Sequence, residues 1–579
     1  MLHPAAVTSS AMSDATPVTG ARVAYFSMEV ALAAALPTYA GGLGVLAGDM
    51  LRAAADLRVP MIGVTLVHRQ GYLDQQLDAA GNQLERPAPW TPGAWTTELP
   101  ERVSVQIEDR EVRVRAFRYD IQGASGHVVS VLLLDTALPE NQEADRRLTD
   151  VLYGGDAHYR LMQEVVLGIA GVRMLRALGC TQIERFHMNE GHAALLALEL
   201  VDETARAAGR ANIDQADIER ARKLCVFTTH TPVAAGHDQF PLELVERVLG
   251  RPEIKHMSEI FTFEGVLNMT FLALNLSHYV NGVAKRHQEV SQHMFGKYPI
   301  DAITNGIHAA TWATPAFQAL FDRALPGWRE DNLSLRYALK IPRRDVQAAH
   351  LEAKRALFDR VRHDSGKSMD EDVFTLGFGR RATPYKRANL LLRDPARLSR
   401  IAREVGRIQI IYAGKAHPQD DAGKQLIREV VAGLGNVDGN TISVYLADYD
   451  MELAKLMISG VDLWLNTPEP PLEASGTSGM KAAVNGVPSL SILDGWWLEG
   501  HVEGVTGWAI GGRPHEGRAP DAERDADDLY EQLERVILPM FYQRPDDYVD
   551  VMRQTIGLTG SFFNTHRMLQ QYLTRAYFL

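Results

Sequence analysis

Short apolar, β-branched runs alternate with longer amphipathic stretches along most of the chain. In the first half the runs are RVAYFSM, MIGVTLV, VVSVLLLD, IERFHM and LCVFTT, and in the second half they are VFTLGFG, IQIIYAG, TISVYL, VDLWLN and SLSIL. Such alternation is typical of βα units that build parallel sheets. Residues 306–345 lie between the two series, carry several prolines and have a weaker apolar period, so the chain can cross between domains there. The pattern predicts two doubly wound α/β domains that face a cleft, with a boundary near residue 305.

The two ends of the chain differ from this pattern and from each other. Residues 1–20 are small and polar and lack the charged start and apolar core of a signal peptide, so we expect a disordered tail. Residues 561–579 carry apolar side chains at near-helical spacing, which predicts a terminal helix that packs on the body. The predicted organisation is therefore a tail, one domain over 21–305, a second over 306–560 and a helix over 561–579.

Composition narrows the classes of partner. The 579 residues are 46% hydrophobic and 23% charged, as in ordinary globular proteins, and no apolar run is long enough to predict a membrane span. The net charge of −12 argues against a nucleic-acid partner, because phosphate backbones are met by basic surfaces. Cys180 and Cys225 are each flanked by apolar residues, which is typical of a reducing compartment. We expect a cytoplasmic protein without nucleic-acid or membrane partners.

The stretch EASGTSGMKAAVNGV, residues 473–487, combines a turn of small residues with a lysine. Small residues let backbone N–H groups approach an anion, and the positive end of a following helix favours that anion. On a helix, Lys481 would lie beside the apolar Val484. A buried lysine needs a charged partner or a covalent bond.

Basic and glycine-rich turns follow two other predicted strands. GRRATPYKR, residues 379–387, places Arg380, Arg381, Lys386 and Arg387 where they could share phosphate groups, although a solvated basic turn would have the same pattern. YAGGLGVLAGDM, residues 39–50, lacks the G-x-G-x-x-G spacing, so it is either a tight structural turn or a loop that approaches a sugar or phosphate.

Several polar residues remain ambiguous when they are considered singly. HMNEGH, residues 187–192, lacks the H-E-x-x-H spacing of a zinc helix, so we expect no metal. His230 and Asn305 each end a predicted strand, where a core histidine and an Asn-Gly turn are the simpler explanations. Glu469 and Glu473 could form a glycosidase pair, but two prolines lie between them and leave their separation open.

Together these stretches resemble the α-glucan phosphorylases, which act on glycogen, starch or maltodextrin, over nearly the whole chain from Arg22 onward. The resemblance is carried by FSMEVALAAALPTYAGGLGVLAGD, NEGHAALLALEL, FTTHTPVAAGHDQF, VNGVAKRH, ITNGIHAATW, GRRATPYKR, YLADYDMELA and EASGTSGMK, and SGMKAA and ILDGWW resemble the short prokaryotic type. It implies two Rossmann-like domains in the GT-B arrangement. It also implies phosphorolysis of non-reducing-end glucosyl units to α-D-glucose 1-phosphate, with retained configuration.

The resemblance implies a cofactor and assigns site positions. The family holds pyridoxal 5′-phosphate on the lysine that matches Lys481, and the phosphate of that cofactor exchanges a proton with inorganic phosphate. The catalytic positions match Lys481, Arg380, Arg381, Lys386, His230 and Glu473. The cofactor positions match Lys481, Tyr449, Gly476, Thr477 and Arg380. The glucosyl positions match Gly42, Leu43, Asp156, His230, Asn305, Glu473, Ser475 and Gly476.

The chain also departs from the better-known members of the family. Ser478 and Gly479 replace a Gly-Asn pair, so backbone contacts to the cofactor phosphate are carried over in preference to side-chain contacts. Nothing before Gly20 resembles a phosphorylation switch or a nucleotide site, so we expect no regulation of that kind. A homodimer is expected by family analogy alone.

Two rival functions remain. A sugar-nucleotide glycosyltransferase of the same fold, such as a glycogen synthase, also uses a GGLG loop but has no need for Lys481. A catalytically inactive glucan-binding protein would need neither Lys481 nor the phosphate-site cations Arg381 and Lys386.

Overall fold

The computed structural model describes residues 18–232, 237–251, 254, 258–438, 440–512 and 521–578. Most of the predicted disordered tail therefore lies outside the described residues, and Val18–Gly20 form a short 3₁₀ turn. Among the described helices, none is long and apolar enough to cross a membrane.

The first half of the chain forms a nine-stranded sheet and two small two-stranded sheets. Its strands are β1 (Val23–Ser27), β2 (Met61–Leu66), β3 (Asp74–Leu77), β4 (Gln83–Arg86), β5 (Thr97–Ile107), β6 (Arg110–Gln122), β7 (Val128–Asp135), β8 (Arg185–Asn189), β9 (Cys225–Thr228), β10 (Gln239–Pro241), β11 (Val266–Asn268), β12 (Tyr279–Gly282) and β13 (Asp301–Ala302). The order in the large sheet is β13-β12-β9-β8-β1-β2-β7-β6-β5. All neighbours are parallel except β6, which runs antiparallel to β5 and β7.

The second half forms a six-stranded parallel sheet. Its strands are β14 (Phe374–Gly379), β15 (Ile408–Ala413), β16 (Thr441–Leu446), β17 (Leu463–Asn466), β18 (Ser489–Ile492) and β19 (Gly507–Ile510). Their order, β16-β15-β14-β17-β18-β19, is that of the doubly wound nucleotide-binding fold. The strand order reverses between β14 and β17, and ligands bind at such a switch point, beyond the carboxyl ends of the strands.

Helices cover both faces of the sheets. In the first half they are α1 (Gly42–Asp56), α2 (Glu143–Arg146), α3 (Ala157–Val165), α4 (Gly171–Ala177), α5 (Leu195–Ala207), α6 (Gln215–Leu224), α7 (Leu242–Leu249), α8 (Ser258–Phe261), α9 (Met269–Asn275) and α10 (Lys285–Met294). In the second half they are α11 (Ala309–Trp312), α12 (Pro315–Ala324), α13 (Arg343–Ser365), α14 (Pro395–Glu404), α15 (Asp421–Gly435), α16 (Met451–Gly460), α17 (Thr477–Val484), α18 (Trp497–Gly500), α19 (Ala522–Gln532), α20 (Leu538–Gln543), α21 (Pro545–Gln554) and α22 (Thr565–Tyr572).

The prediction of two doubly wound α/β domains is confirmed, and every apolar run that the sequence indicated is a strand. The antiparallel β5–β6 pair was not predicted. Its strands alternate buried and exposed positions, because one face is solvated, and so they lack the continuous apolar runs of the parallel strands.

The last helix returns to the first sheet. Met568, Leu569 and Tyr572 of α22 pack in one core with Val23 and Tyr25 of β1. Just before α22, Asn564 forms a parallel bridge with Ile307, in the segment that leaves the first sheet. The linker and the terminal helix thus meet beside the cleft.

Candidate active site

The carboxyl ends of β14 and β17 bring two cations onto one carboxylate. The two strands are parallel neighbours, so the turns that follow them share one edge of the sheet. Arg380 and Lys386 follow β14, and Glu473 follows β17. Arg380 Nη2 lies 2.6 Å and Lys386 Nζ 2.5 Å from Glu473 Oε2. The predicted phosphate-site cations are therefore held by a predicted sugar-site carboxylate.

All three groups are buried, and their charges control one another. Burial alone would raise the pKa of Glu473, but Arg380 and Lys386 outweigh it and lower this pKa to about 2. Burial, followed by the repulsion of Arg380, lowers the pKa of Lys386 to about 7. Arg380 Nη1 is buried and has no hydrogen-bond partner among the described residues. The cluster has one cation more than it has anions, which suits an anionic ligand.

Arg381 extends from the second domain to the glycine loop of the first. A Cβ added at Gly41 would lie 3.1 Å from Arg381 Nη2. The Arg381 side chain is exposed in the cleft. Partial loss of solvent there acts to lower its pKa, but nearby groups, first Tyr72 and Glu29, outweigh that effect, so the pKa of Arg381 is raised. Within the described parts of the chain, its guanidinium makes no hydrogen bond or ion pair, so it is free to bind a ligand in the cleft.

Asp494 binds the backbone of Glu473. Its carboxylate accepts the backbone N–H of Glu473 at 2.9 Å and that of Gly495 at 3.0 Å. Burial raises the pKa of Asp494 to about 7. Sequence reasoning did not single out Asp494, although it lies in the ILDGWW segment.

Lys481 lies in the last turn of the short helix α17 as a buried amine. Its Nζ is 4.1 Å from the centre of the Trp312 ring and makes no hydrogen bond or ion pair to a described residue. Burial lowers the pKa of Lys481 to about 8, although Asp49 acts in the opposite direction. A lowered pKa increases the neutral fraction, which is the nucleophilic form of an amine. Trp312 was not predicted as part of the site.

The surroundings of Lys481 fit a carbonyl-bearing cofactor with a phosphate group. Gly476, with a φ of +89°, precedes α17, whose first backbone N–H groups have no partner within the helix. Thr477 is the first helical residue, and the Ser475 hydroxyl is buried without a described partner. Tyr449 lies over Gly379, where an added Cβ would be 2.8 Å from its ring. An amine without a described partner, the N-terminus of a helix and a flat aromatic ring fit pyridoxal phosphate.

The glycine loop of the first domain is shaped by Glu29. Glu29 Oε2 accepts the backbone N–H of Ala40 at 2.6 Å and of Gly41 at 3.1 Å, and Glu29 Oε1 accepts the hydroxyl of Tyr153 at 2.9 Å. Gly42 and Leu43 follow at the exposed start of α1. Glu29 is buried in FSMEV and was not predicted as a site residue, because a single acidic residue beside a strand carries no distinctive spacing.

His230 extends from the end of β9. Its Nε2 lies 2.7 Å from Asn189 Oδ1, and its backbone N–H donates to Glu190 Oε2 at 2.8 Å. Burial lowers the pKa of His230 to about 4, so the imidazole is neutral at neutral pH. Because the amide oxygen accepts the Nε2 proton, Nδ1 remains an acceptor.

Two predicted sugar-site residues differ in their surroundings. Asn305 is buried, and its side-chain Oδ1 has no hydrogen-bond partner among the described residues. Asp156 is exposed at the start of α3, where its carboxylate caps the helix by accepting the N–H of Tyr159 at 2.9 Å. No hydrogen bond or ion pair within the described residues joins Asp156 to the other site residues.

Comparisons with known proteins identify the family to which the chain belongs. The sequence profile of the carbohydrate phosphorylase family matches residues 251–504. The chain is 37% identical to the maltodextrin phosphorylase of Thermococcus litoralis, in an alignment that covers 96% of this chain and 70% of that protein. It is 38% identical to the glycogen phosphorylase of Mycobacterium bovis, with the same coverage. It is 34% identical to the glycogen phosphorylase of Aquifex aeolicus, over 96% of this chain and 86% of that protein. The chain therefore belongs to the carbohydrate phosphorylase family.

Proposed function

We propose that this protein is an α-1,4-glucan phosphorylase that converts non-reducing-end glucosyl units of glycogen or maltodextrin to α-D-glucose 1-phosphate. The observation that carries the proposal is the excess of cations at the switch point, together with a buried lysine that has no hydrogen-bond or ion-pair partner among the described residues. Arg380 and Lys386 share Glu473, and Arg381 has no described ion-pair partner. Such a site suits phosphate chemistry next to a covalently held cofactor.

We infer that Lys481 holds pyridoxal 5′-phosphate, with Tyr449 beside it and Gly476, Thr477 and Arg380 near its phosphate. Two features support this assignment: Lys481 Nζ has no described hydrogen-bond or ion-pair partner, and the first N–H groups of α17 have no partner within the helix. When bound, the cofactor supplies a phosphate group that can exchange a proton with inorganic phosphate.

The residues of this chain would bind and orient the reactants. Arg381 and Lys386 would hold inorganic phosphate and offset the repulsion between neighbouring phosphate groups, which is strong in a site that excludes water. The inorganic phosphate protonates the glucosidic oxygen, and the glucosidic bond breaks. An oxygen of the same inorganic phosphate then forms the new bond to the anomeric carbon, on the same face. Glu473 keeps the cations in place and remains ionised, since its pKa is held near 2.

The glucosyl unit would be bound by groups from both domains. The backbone at Gly42 and Leu43 and the side chains of His230 and Asn305 would contact its hydroxyls, with Glu473, Ser475 and Gly476 on the opposite side. Neutral His230 can accept a hydroxyl proton at Nδ1. Asp156 would approach the glucosyl unit from the exposed start of α3.

In this proposal residues 21–305 bind the glucan, residues 306–560 bind the cofactor, and the helix within 561–579 joins the two. The compartment is the cytoplasm, and the free, buried thiols of Cys180 and Cys225 support this. A homodimer is part of the proposal by family analogy only.

The test is to incubate the purified protein with maltoheptaose, with and without phosphate, and to identify the sugar product. We expect glucose 1-phosphate only when phosphate is present, together with an absorption band of bound pyridoxal phosphate that Lys481→Arg removes. Lys455→Arg, a change at a surface lysine paired with Glu452, is the matched control. Free glucose would indicate a hydrolase, and an unchanged substrate would indicate a binding protein; either result contradicts the proposal.

A further inference from the structure

The turn that carries Asn305 is held by three separate parts of the chain. The backbone N–H of Asn305 donates to Val283 O at 3.0 Å. The hydroxyl of Thr304 donates to the carboxylate of Glu499, in α18 of the second domain, at 2.9 Å. Ile307 exchanges backbone hydrogen bonds with the segment before α22, from its own N–H to Phe563 O at 3.1 Å and from Thr565 N–H to its carbonyl at 2.9 Å.

Arg567 of α22 makes the most direct contact with this turn. Its Nη1 donates to Thr304 O at 2.5 Å, and its Nη2 donates to Asn305 O at 2.9 Å. The same guanidinium donates through Nε to Phe562 O at 3.1 Å and through Nη1 to Gln571 Oε1 at 3.0 Å. One planar group thus bridges two successive carbonyls. It is itself held by Gln571 of α22 and by Phe562, just before that helix.

This contact orients a peptide and does more than fill space. Arg567 is buried, and burial lowers its pKa to about 10, so it remains charged at neutral pH. The fixed fork of a guanidinium sets both carbonyl directions, which a flexible lysine cannot reproduce. An open cavity of about 880 Å³, lined by Thr304, Glu499 and Arg567 among others, lies beside the turn. The turn therefore has room to shift when the guanidinium is lost.

The Asn305 side chain depends on that backbone. Its Oδ1 is buried and makes no hydrogen bond to any described residue, so no described side chain fixes the direction of that oxygen. The position of the Asn305 Cβ, from which the amide extends, is set by the peptide planes on either side, and Arg567 binds the carbonyls of both.

We propose that Arg567 is a positioning residue for sugar binding: it holds the backbone of Asn305 so that the Asn305 amide meets a glucosyl hydroxyl. This inference rests on the proposed function, in which Asn305 contacts the sugar. It makes the terminal helix, which is far from Asn305 in sequence, part of the support of the sugar site.

The experiment compares Arg567→Lys, Asn305→Ala and the double variant in phosphorolysis of maltoheptaose. Arg567→Lys should raise the KM for maltoheptaose about tenfold, because a misdirected amide loses a hydrogen bond to the substrate. The KM for phosphate and the cofactor absorption should not change, since Arg567 contacts neither site. The double variant should be no worse than Asn305→Ala, because Arg567 acts through Asn305.

Arg575→Lys is the matched control. Arg575 lies just after α22 and donates to Ala302 O at 3.2 Å, but it makes no hydrogen bond to the turn that carries Asn305 among the described residues. It should keep the wild-type KM. If Arg567→Lys does not fold, Gln571→Leu loosens the same guanidinium without removing it and should raise the KM about two- to threefold.

The results separate the two proposals. If the wild-type protein produces no glucose 1-phosphate, the proposed function fails, and this inference fails with it. If the wild type is active and Asn305→Ala raises the KM, but the Arg567 or Gln571 variant does not, only the positioning role is wrong. Losses that multiply in the double variant would also overturn it, because they would mean that Arg567 and Asn305 act independently.

Discussion

At the scale of single residues, the site is governed by how buried charges are shared. Arg380 and Lys386 lower the pKa of Glu473 to about 2, whereas burial and the repulsion of Arg380 lower the pKa of Lys386 to about 7. Arg381 makes no described ion pair with Glu473 or with any other residue, and it lies beside Gly41 of the glycine loop. The three cations are therefore not equivalent, and substitutions should separate their roles.

Arg381→Ala should lower turnover by about a hundredfold or more, as the loss of one preorganised charge contact to a reacting group typically does. Its fold should be unaffected, because no described ion pair is broken. Steady-state kinetics with varied phosphate measures the effect. Arg393→Ala removes an arginine that is paired only loosely, with Glu523 at 3.8 Å, and serves as the control. Normal turnover and phosphate affinity in Arg381→Ala would remove this residue from the phosphate site.

Lys386 should give the reaction a pH dependence. Because its pKa is lowered to about 7, the ammonium loses its proton as the pH rises through that value. Phosphate then binds a site with less positive charge, so kcat/KM for phosphate should fall above neutral pH. In Lys386→Arg the cation stays charged, so the part of this fall that Lys386 causes should disappear. The protonation of inorganic phosphate changes equally in the assays of both proteins. A fall of the same size in the variant would therefore mean that Lys386 is not its source.

The site residues that sequence reasoning missed share a physical feature. Glu29 and Asp494 act by accepting backbone N–H groups, and Trp312 acts by covering an amine with its ring. None of these roles needs a particular spacing in sequence. Arg380 and Glu473, in contrast, follow recognisable strands, so the sequence could indicate that they reach the same sheet edge but not that they form an ion pair.

At the scale of elements, most of the parallel strands were predictable because they are buried on both faces and appear as continuous apolar runs, whereas the short parallel strands β12, β13 and β19 were not among the predicted runs. All positions of β14 and β15 are buried, whereas β3 has a single buried position. The small hairpin β3–β4 was accordingly missed. Strands of this kind lack a continuous apolar run, so only their contacts in the folded protein identify them, and the sequence does not show those contacts.

The glycine loop is an element whose shape depends on one position in α1. A Cβ at Gly44 would lie 2.6 Å from Glu29 Oε2 and 2.7 Å from Tyr39 Cβ, whereas a Cβ at Gly42 would meet nothing within 4 Å. Gly44→Ala should therefore destabilise the protein by about 1–3 kcal/mol, the usual cost of overpacking. Gly42→Ala should leave stability unchanged or raise it slightly, since alanine favours the helix. Differential scanning calorimetry measures both, and equal melting temperatures would contradict the steric argument.

At the scale of the whole molecule, the two domains are joined on one side by the terminal helix and on the other by the β3–β4 hairpin. Gln75 and Gln83 are buried and use both ends of their amides. Gln83 donates to Ala416 O and accepts from Ala416 N, each at 2.9 Å. Gln75 donates to Gly414 O and accepts from Asp448 N, also at 2.9 Å. These bonds fix the width of the cleft in which Arg381 approaches Gly41.

Gln83→Leu should loosen this contact while filling a similar volume. The substitution leaves the N–H and C=O of Ala416 without their partner, at a cost of about 1–3 kcal/mol for each buried group. The cleft then opens at lower cost, so kcat/KM for maltoheptaose should fall about tenfold and the radius of gyration in small-angle X-ray scattering should increase. Gln76→Leu is the control. Gln76 is half-buried next to Gln75 on β3, and its side chain makes no described hydrogen bond, so this variant should behave as wild type. If Gln83→Leu kept both the wild-type radius and the wild-type kinetics, the hairpin would be a passive contact, and the terminal helix would be the connection that sets the cleft.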